Sequence, residues 1–168
     1  MDRSEKKLAV VKALRDKFDK AIRDVSDYAG DTKILVELGS IHEILLYLRN
    51  EHHFDYLSDL FGTDRFTSED RFEVFYNIIS LKTGIRLFIR TWCPEDSPVV
   101  PTACDIWPGA NWNEREVWDM YGIRFEGHPD HRRIYMPEDY EYHPLRKEFP
   151  LLGIPGSIEL PSTTPDTE

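Results

Sequence analysis

Residues 71–92 read RFEVFYNIISLKTGIRLFIRTW, two alternating runs on either side of a turn that holds Gly84. In the first run Phe72, Val74, Tyr76 and Ile78 alternate with Glu73, Phe75, Asn77 and Ile79. In the second, Ile85, Leu87 and Ile89 alternate with Arg86, Phe88 and Arg90. A period of two is that of side chains on a strand, and a short glycine-bearing link joins antiparallel neighbours. Residues 71–80 and 85–92 are therefore expected to form a hairpin with one face to bury. Candidate covers lie upstream. Leu8, Val11, Leu14, Phe18, Ile22 and Val25 recur at spacings of three and four, which predicts a helix over residues 4–26. Ile41, Ile44, Leu45 and Leu48 give a second apolar stripe, with Ser40 and Glu43 spaced as a capping box. TKILVEL (32–38) reads as a further strand, and FDYLSDLFGTD (54–64) as a connection with buried aromatics. The fold class expected is α+β: a small, mostly antiparallel sheet packed on helices, followed by a helix and an extended proline-rich C-terminal arm.

The 168 residues suit about one domain and a core that needs no staples. A net charge of −10 argues against nucleic acid as a partner, because that needs a basic footprint. Cys93 and Cys104, the two cysteines, make no C-x-x-C pair and read as free thiols. The N-terminal stretch MDRSEKKLAVVKALRDKFDK has no apolar core of a signal peptide, and no run approaches a membrane span. His52-His53 closes the second helix. Adjacent residues do not face each other on a helix, so the favourable dipole at a C-terminus explains the pair better than a metal does.

Prolines punctuate residues 93–109, and NWNEREVWDMYG (111–122) restores helical spacing. Asn111 and Glu114 fit a capping box and Gly122 a C-terminal stop. A short strand, IRFEG (123–127), follows. Residues 127–168 then hold seven X-Pro steps, which exclude a long helix or central strand. Such a segment makes no core of its own and needs a surface to lie on. The organisation expected is an α+β domain over 1–110, a motif helix and docking segment over 111–150, and an extended or disordered tail over 151–168.

Three chemistries compete in the C-terminal part. His128, His131 and His143, with Asp130 and Glu141 as oxygen donors, could hold a metal, but no set closes a tetrahedral site. Glu114, Glu116 and Asp119 could shift one another's pKa values, but no nucleophile elbow, phosphate loop or dinucleotide fingerprint accompanies them. The third is docking. Arg132-Arg133 and Arg146-Lys147 stand in pairs beside His128-Pro129 and His143-Pro144 on a stiffened, nearly neutral segment, as specific protein contacts require. The segment could also fold back, with Arg132 and Arg146 pairing to Glu114 and Asp119.

The run NWNEREVWDMYGIRFEGHPDHRRIYMPEDYEYHPLRKEFP resembles the C-type, or thirty-kilodalton-type, subunit of NADH–quinone oxidoreductase, respiratory complex I. The matching positions are Glu114, Arg115, Glu116, Asp119, Gly122, His128, Pro129, Arg132, Arg133, His143, Pro144, Arg146 and Lys147. His131, Tyr142 and Glu148 stand where the family usually has Leu, Gly and Asp, and Tyr142 puts a positive-φ turn in doubt. The resemblance implies a peripheral-arm subunit on the cytoplasmic face of the bacterial inner membrane, reaching that membrane only through the complex. It also implies packing on the large D-type subunit near the quinone-reducing end, among the other hydrophilic-arm subunits. It implies no catalytic, metal or cofactor residue in this chain, since FMN, the iron–sulfur clusters and quinone belong to other subunits of the proton-pumping translocase. Two alternatives are a same-family subunit of a hydrogenase-type or plastoquinone-reducing complex, and a free-standing metal-dependent enzyme using the histidines.

Overall fold

The computed structural model describes residues 2–67, 69–154 and 156. The hairpin forms as expected: β4 (Phe72–Ile79) and β5 (Arg86–Cys93) pair antiparallel with Phe72 opposite Cys93 and Tyr76 opposite Ile89. The other strands are β1 (Ile22–Tyr28), β2 (Asp31–Val36) and β3 (Tyr56–Asp64), in the order β1-β2-β5-β4-β3. Only the β2–β5 pair is parallel, so the sheet is mostly antiparallel. A separate parallel pair joins β6 (Val99–Pro101) to β7 (Arg124–Glu126). The helices are α1 (Arg3–Phe18), α2 (Ile41–His52) and α3 (Ala110–Tyr121).

Tyr76, Ile78, Leu87 and Ile89 bury the inner face of the hairpin against Leu14 of α1 and Ile41, Ile44, Leu45 and Leu48 of α2. Val117, Ile123 and Phe125 join the same cluster, so α3 and β7 share the core of the strands before residue 110. α3 lies on β3 where Gly62 leaves room: a Cβ there would sit 3.0 Å from both Tyr121 Cδ2 and Val117 Cγ1.

Four local expectations are corrected. The first helix stops at Phe18, because Ile22 and Val25 are strand residues paired with Val36 and Ile34. Sheet pairing outweighs helical spacing in a run, IRDVSDY, that is poor in helix formers. Residues 56–64 are strand β3, not a connection; a bulge between Leu57 and Asp59 breaks the alternation that would have revealed it. Ser40 sits at the N-cap of α2 without a side-chain bond. α3 starts at Ala110 after Gly109, so Asn111 and Glu114 form no capping box. His53 does close α2, in a left-handed conformation with its N–H donated to Leu48 O. The tail expected over 151–168 lies mostly outside the described residues.

Candidate functional site

The site is the seam along which residues 127–150 fold back on α3. Helix α3 buries Ala110, Glu114, Val117 and Met120 in steps of three and four, and Arg115 and Asp119 flank that stripe. Gly122 ends the helix at φ 76° and donates to Trp118 O at 2.8 Å. Three further carbonyls of the last turn take donors from the HPLR strip. His143 Nδ1 donates to Asp119 O at 3.0 Å, Leu145 N–H to Met120 O at 3.1 Å and Arg146 Nε to Tyr121 O at 2.7 Å. The strip therefore acts as a C-cap for α3, satisfying acceptors that no intrahelical donor reaches. Gly122 is required twice over, by its positive φ and because a Cβ would come within 2.5 Å of Arg146 Nη2 and 2.7 Å of His143 Nε2.

Asp119 ties the segment down from the other side. Its Oδ2 accepts the N–H groups of Ile134, Tyr135 and Met136 at 3.1, 2.7 and 2.9 Å, and its Oδ1 takes Arg133 Nη1 at 2.5 Å. The four donors hold its pKa below the ordinary carboxylate value against the opposing effect of burial. Arg115 donates to the carbonyls of Arg132 and Arg133 at 3.0 and 2.9 Å. Next to this seam, Asp64 accepts Arg71 through both oxygens and the N–H of Lys147 at 2.8 Å, while Arg71 also pairs with Glu95 and Glu148. These donors hold Asp64 down at about 2 although burial pushes the other way.

Glu114 has a different environment. Its carboxylate accepts Ala103 N–H and Thr102 Oγ, both at 2.6 Å, and the Cys104 thiol at 3.5 Å, with no guanidinium in contact. Burial therefore pushes it up to about 7. The fold-back pairing expected for Arg132 and Arg146 is corrected: Arg133 takes Asp119, Arg132 lies outside on Asp130, and Arg146 binds a backbone carbonyl.

The histidines do not all converge: His128 and His131 meet edge to face with ring centroids 5.5 Å apart, and His143 stands elsewhere. His128 donates from Nε2 to Asn111 O at 3.1 Å and accepts Asp130 N–H at Nδ1, whereas His143 stands at Asp119 O. Those two helix positions are about 12 Å apart at the rise of an α-helix. His131 packs tilted against Trp118, with ring centroids 4.5 Å apart, and accepts Phe125 N–H. His128, His131 and His143 therefore do not form one ligand set. Cys104, Glu114 and His128 place ligand atoms within 4.8 Å of one another, but both ring nitrogens of His128 are engaged by backbone groups. Pro129, Glu116 and Lys147 are exposed, and Pro144 is half-buried. Tyr142 adopts no positive φ and packs edge-on to Tyr140 and Phe149. Asp64, Arg71 and Thr102 were not legible as site residues, because their partners are long-range ones.

The geometry defines a class: a small α+β scaffold whose proline-rich segment is bound onto its last helix. The chain belongs to the family described as respiratory-chain NADH dehydrogenase, 30 Kd subunit, whose model matches residues 34–154. It is 42% identical over 144 residues to the C-type subunit of the NADH-quinone oxidoreductase of Roseiflexus sp. (strain RS-1), covering 84% of this chain and 83% of that one. It is 43% identical over 163 residues to the second C-type subunit of the same enzyme in Rhizobium meliloti (strain 1021), covering 92% and 88%. Among solved structures, a trypsin-resistant fragment (1–134) of Nqo5 matches with a TM-score of 0.64 at 33% identity, over 77% of this chain and 99% of that one. A chain of the membrane-bound sulfane sulfur reductase, an archaeal respiratory membrane complex, matches with a TM-score of 0.75 at 26% identity, over 88% and 87%. Among the described residues no helix is long and apolar enough to cross a membrane.

Proposed function

We propose that this chain is a non-catalytic component of the peripheral arm of a proton-pumping NADH–quinone oxidoreductase, on the cytoplasmic side of the membrane, and that its C-terminal segment docks on the large D-type subunit of that arm. One observation carries the docking. Residues 143–148 are fixed from within, by α3, Asp64 and Arg71, while Leu145 and the fully exposed Leu151 and Leu152 face outward. A strip whose backbone is held by its own fold and whose apolar groups are exposed is a preordered contact surface. The buried acids support the non-catalytic reading, because their oxygens are occupied by the chain's own donors. Two cysteines fall short of the four thiolates that an iron–sulfur cluster usually takes, so the clusters are assigned to partner subunits.

Replacing Leu151 and Leu152 together by Asp tests this in the native complex. The expected result is a folded chain that no longer co-purifies with the membrane-bound assembly, together with lost NADH–quinone activity. Unchanged assembly and activity would sink the proposal. The likeness to the sulfane sulfur reductase chain supports a second reading, the same scaffold in a related respiratory membrane complex; the relatives above 40% identity favour the first.

A further inference from the structure

A groove of about 830 Å³ runs between α1 and β1, on the side of the molecule away from residues 143–152 in the chain's topology. Its floor is apolar: Leu8, which is 70% exposed, with Val11 and Val25. Its wall is an edge strand, since among the described residues β1 pairs with β2 alone and its outer backbone groups have no neighbouring strand. Its rim carries Lys7, Lys12 and Arg15. Lys7 reaches Gly30 O at 3.0 Å and Asp27 at 3.8 Å, whereas Lys12 and Arg15 have no ion-pair partner among the described residues.

That rim is unusual for this chain. Residues 1–20 hold seven bases against four acids, while residues 21–168 hold 14 bases against 27 acids. The outer face of the sheet shows the alternative arrangement, because its arginines are already paired. Arg23 binds Glu37 at 2.6 Å, Arg86 binds Asp31 at 2.7 Å, and Arg90 binds Glu73 at 3.0 Å and Asp24 at 3.2 Å. The arginines of the sheet face are paired; Lys12 and Arg15 at the α1 groove are not, among the described residues.

We infer that the groove between α1 and β1 is a docking site for an extended, acidic segment of a partner protein, one that carries apolar side chains at alternate positions. Such a strand adds to the β1 edge through backbone hydrogen bonds, sets its apolar side chains on Leu8, Val11 and Val25, and places its carboxylates at Lys12 and Arg15. Charge complementarity selects this occupant. A second copy of the chain is acidic as a whole, but its exposed edge beside the same groove is again the basic one. The inference concerns a surface separate from the 143–152 strip and does not depend on it.

A photoreactive benzoylphenylalanine in place of Leu8 tests it in the intact, membrane-isolated complex, with the cross-linked peptide mapped by mass spectrometry. The expected product joins residue 8 to a net-acidic segment of a different subunit. Lys12→Glu with Arg15→Glu lowers its yield roughly tenfold, as a rim charge that steers docking should. Lys82→Glu, an exposed control on the β4–β5 turn, leaves it unchanged. Thermal melts confirm that the exposed substitutions keep the fold. A cross-link to a neutral or basic segment, to lipid, to a second copy, or to residues 157–168 of the same chain overturns the inference. So does the absence of any cross-link, or a yield indifferent to the charge reversal.

Discussion

Glu114 and Asp119 are five residues apart on α3, both with no exposed surface, and they are held in opposite ways. Asp119 receives three backbone N–H groups and a guanidinium, and its pKa is lowered. Glu114 receives one backbone N–H, a hydroxyl and a thiol, and it is raised to about 7. Burial alone penalises both charged forms. What separates the two acids is the formal positive charge and the number of aligned N–H donors brought by the returning segment. The C-terminal end of the helix is therefore an ionic lock, and the N-terminal end a buried acid poised near neutrality.

The largest expected effect comes from breaking the lock. Asp119→Ala leaves Arg133 buried without its partner and three N–H groups unpaired, and should cost about 3–5 kcal/mol in urea denaturation. A loss smaller than that of Glu114→Ala would overturn the contrast between the two ends.

The second test is pH. A carboxyl whose folded pKa is raised from 4.5 to about 7 favours the folded state while protonated, and that contribution is lost as pH rises through this window. The shift corresponds to about 3 kcal/mol. His52, His131 and His143 have folded values lowered by burial, so their contributions grow as pH rises toward the ordinary histidine value and oppose the trend. Glu114→Gln isolates the first effect: thermal melts from acidic to neutral pH should show a stability difference between wild type and variant that shifts in favour of the variant as pH rises. A pH-independent difference would mean that Glu114 titrates alike in the folded and unfolded chain. Asp64 has the reverse sign, its contribution being present at neutral pH and lost as pH falls from 3.8 toward about 2.

Smaller effects probe the cap. Gly122→Ala places a Cβ against His143 and Arg146 at positive φ and should cost about 1–3 kcal/mol. Protease cleavage within residues 140–150 should accelerate with it, because the strip loses its seat. His143→Ala removes one neutral hydrogen bond to the helix end and should cost about 1 kcal/mol by the same denaturation assay. If His143→Ala exceeds Gly122→Ala, the glycine is not what seats the strip.

Local patterns made much of this molecule readable. The β4–β5 hairpin, the apolar stripe of α2, the stop at Gly122 and the family resemblance carried by residues 111–150 all follow from short-range order in the chain. The edges of the sheet did not. β1 carries helical spacing by coincidence, and β3 hides its alternation behind a bulge. Edge strands bury only part of one face, so their sequences are weakly constrained. The seam was legible only in outline: prolines announced a segment that needs a surface, and the surface proved to be its own helix.

The sequence by itself determined that the α3 helix carries a group of acids and that a stiff, charge-balanced strip follows it, because periodicity and proline geometry act over a few residues. Only the tertiary structure decided which acid is an anion and which is poised near neutral pH. Asp119 meets donors 14 to 17 residues downstream and Glu114 meets donors 10 to 12 residues upstream. Those encounters depend on the path of the backbone, and the electrostatics of a buried carboxyl are set by what that path brings within hydrogen-bond reach.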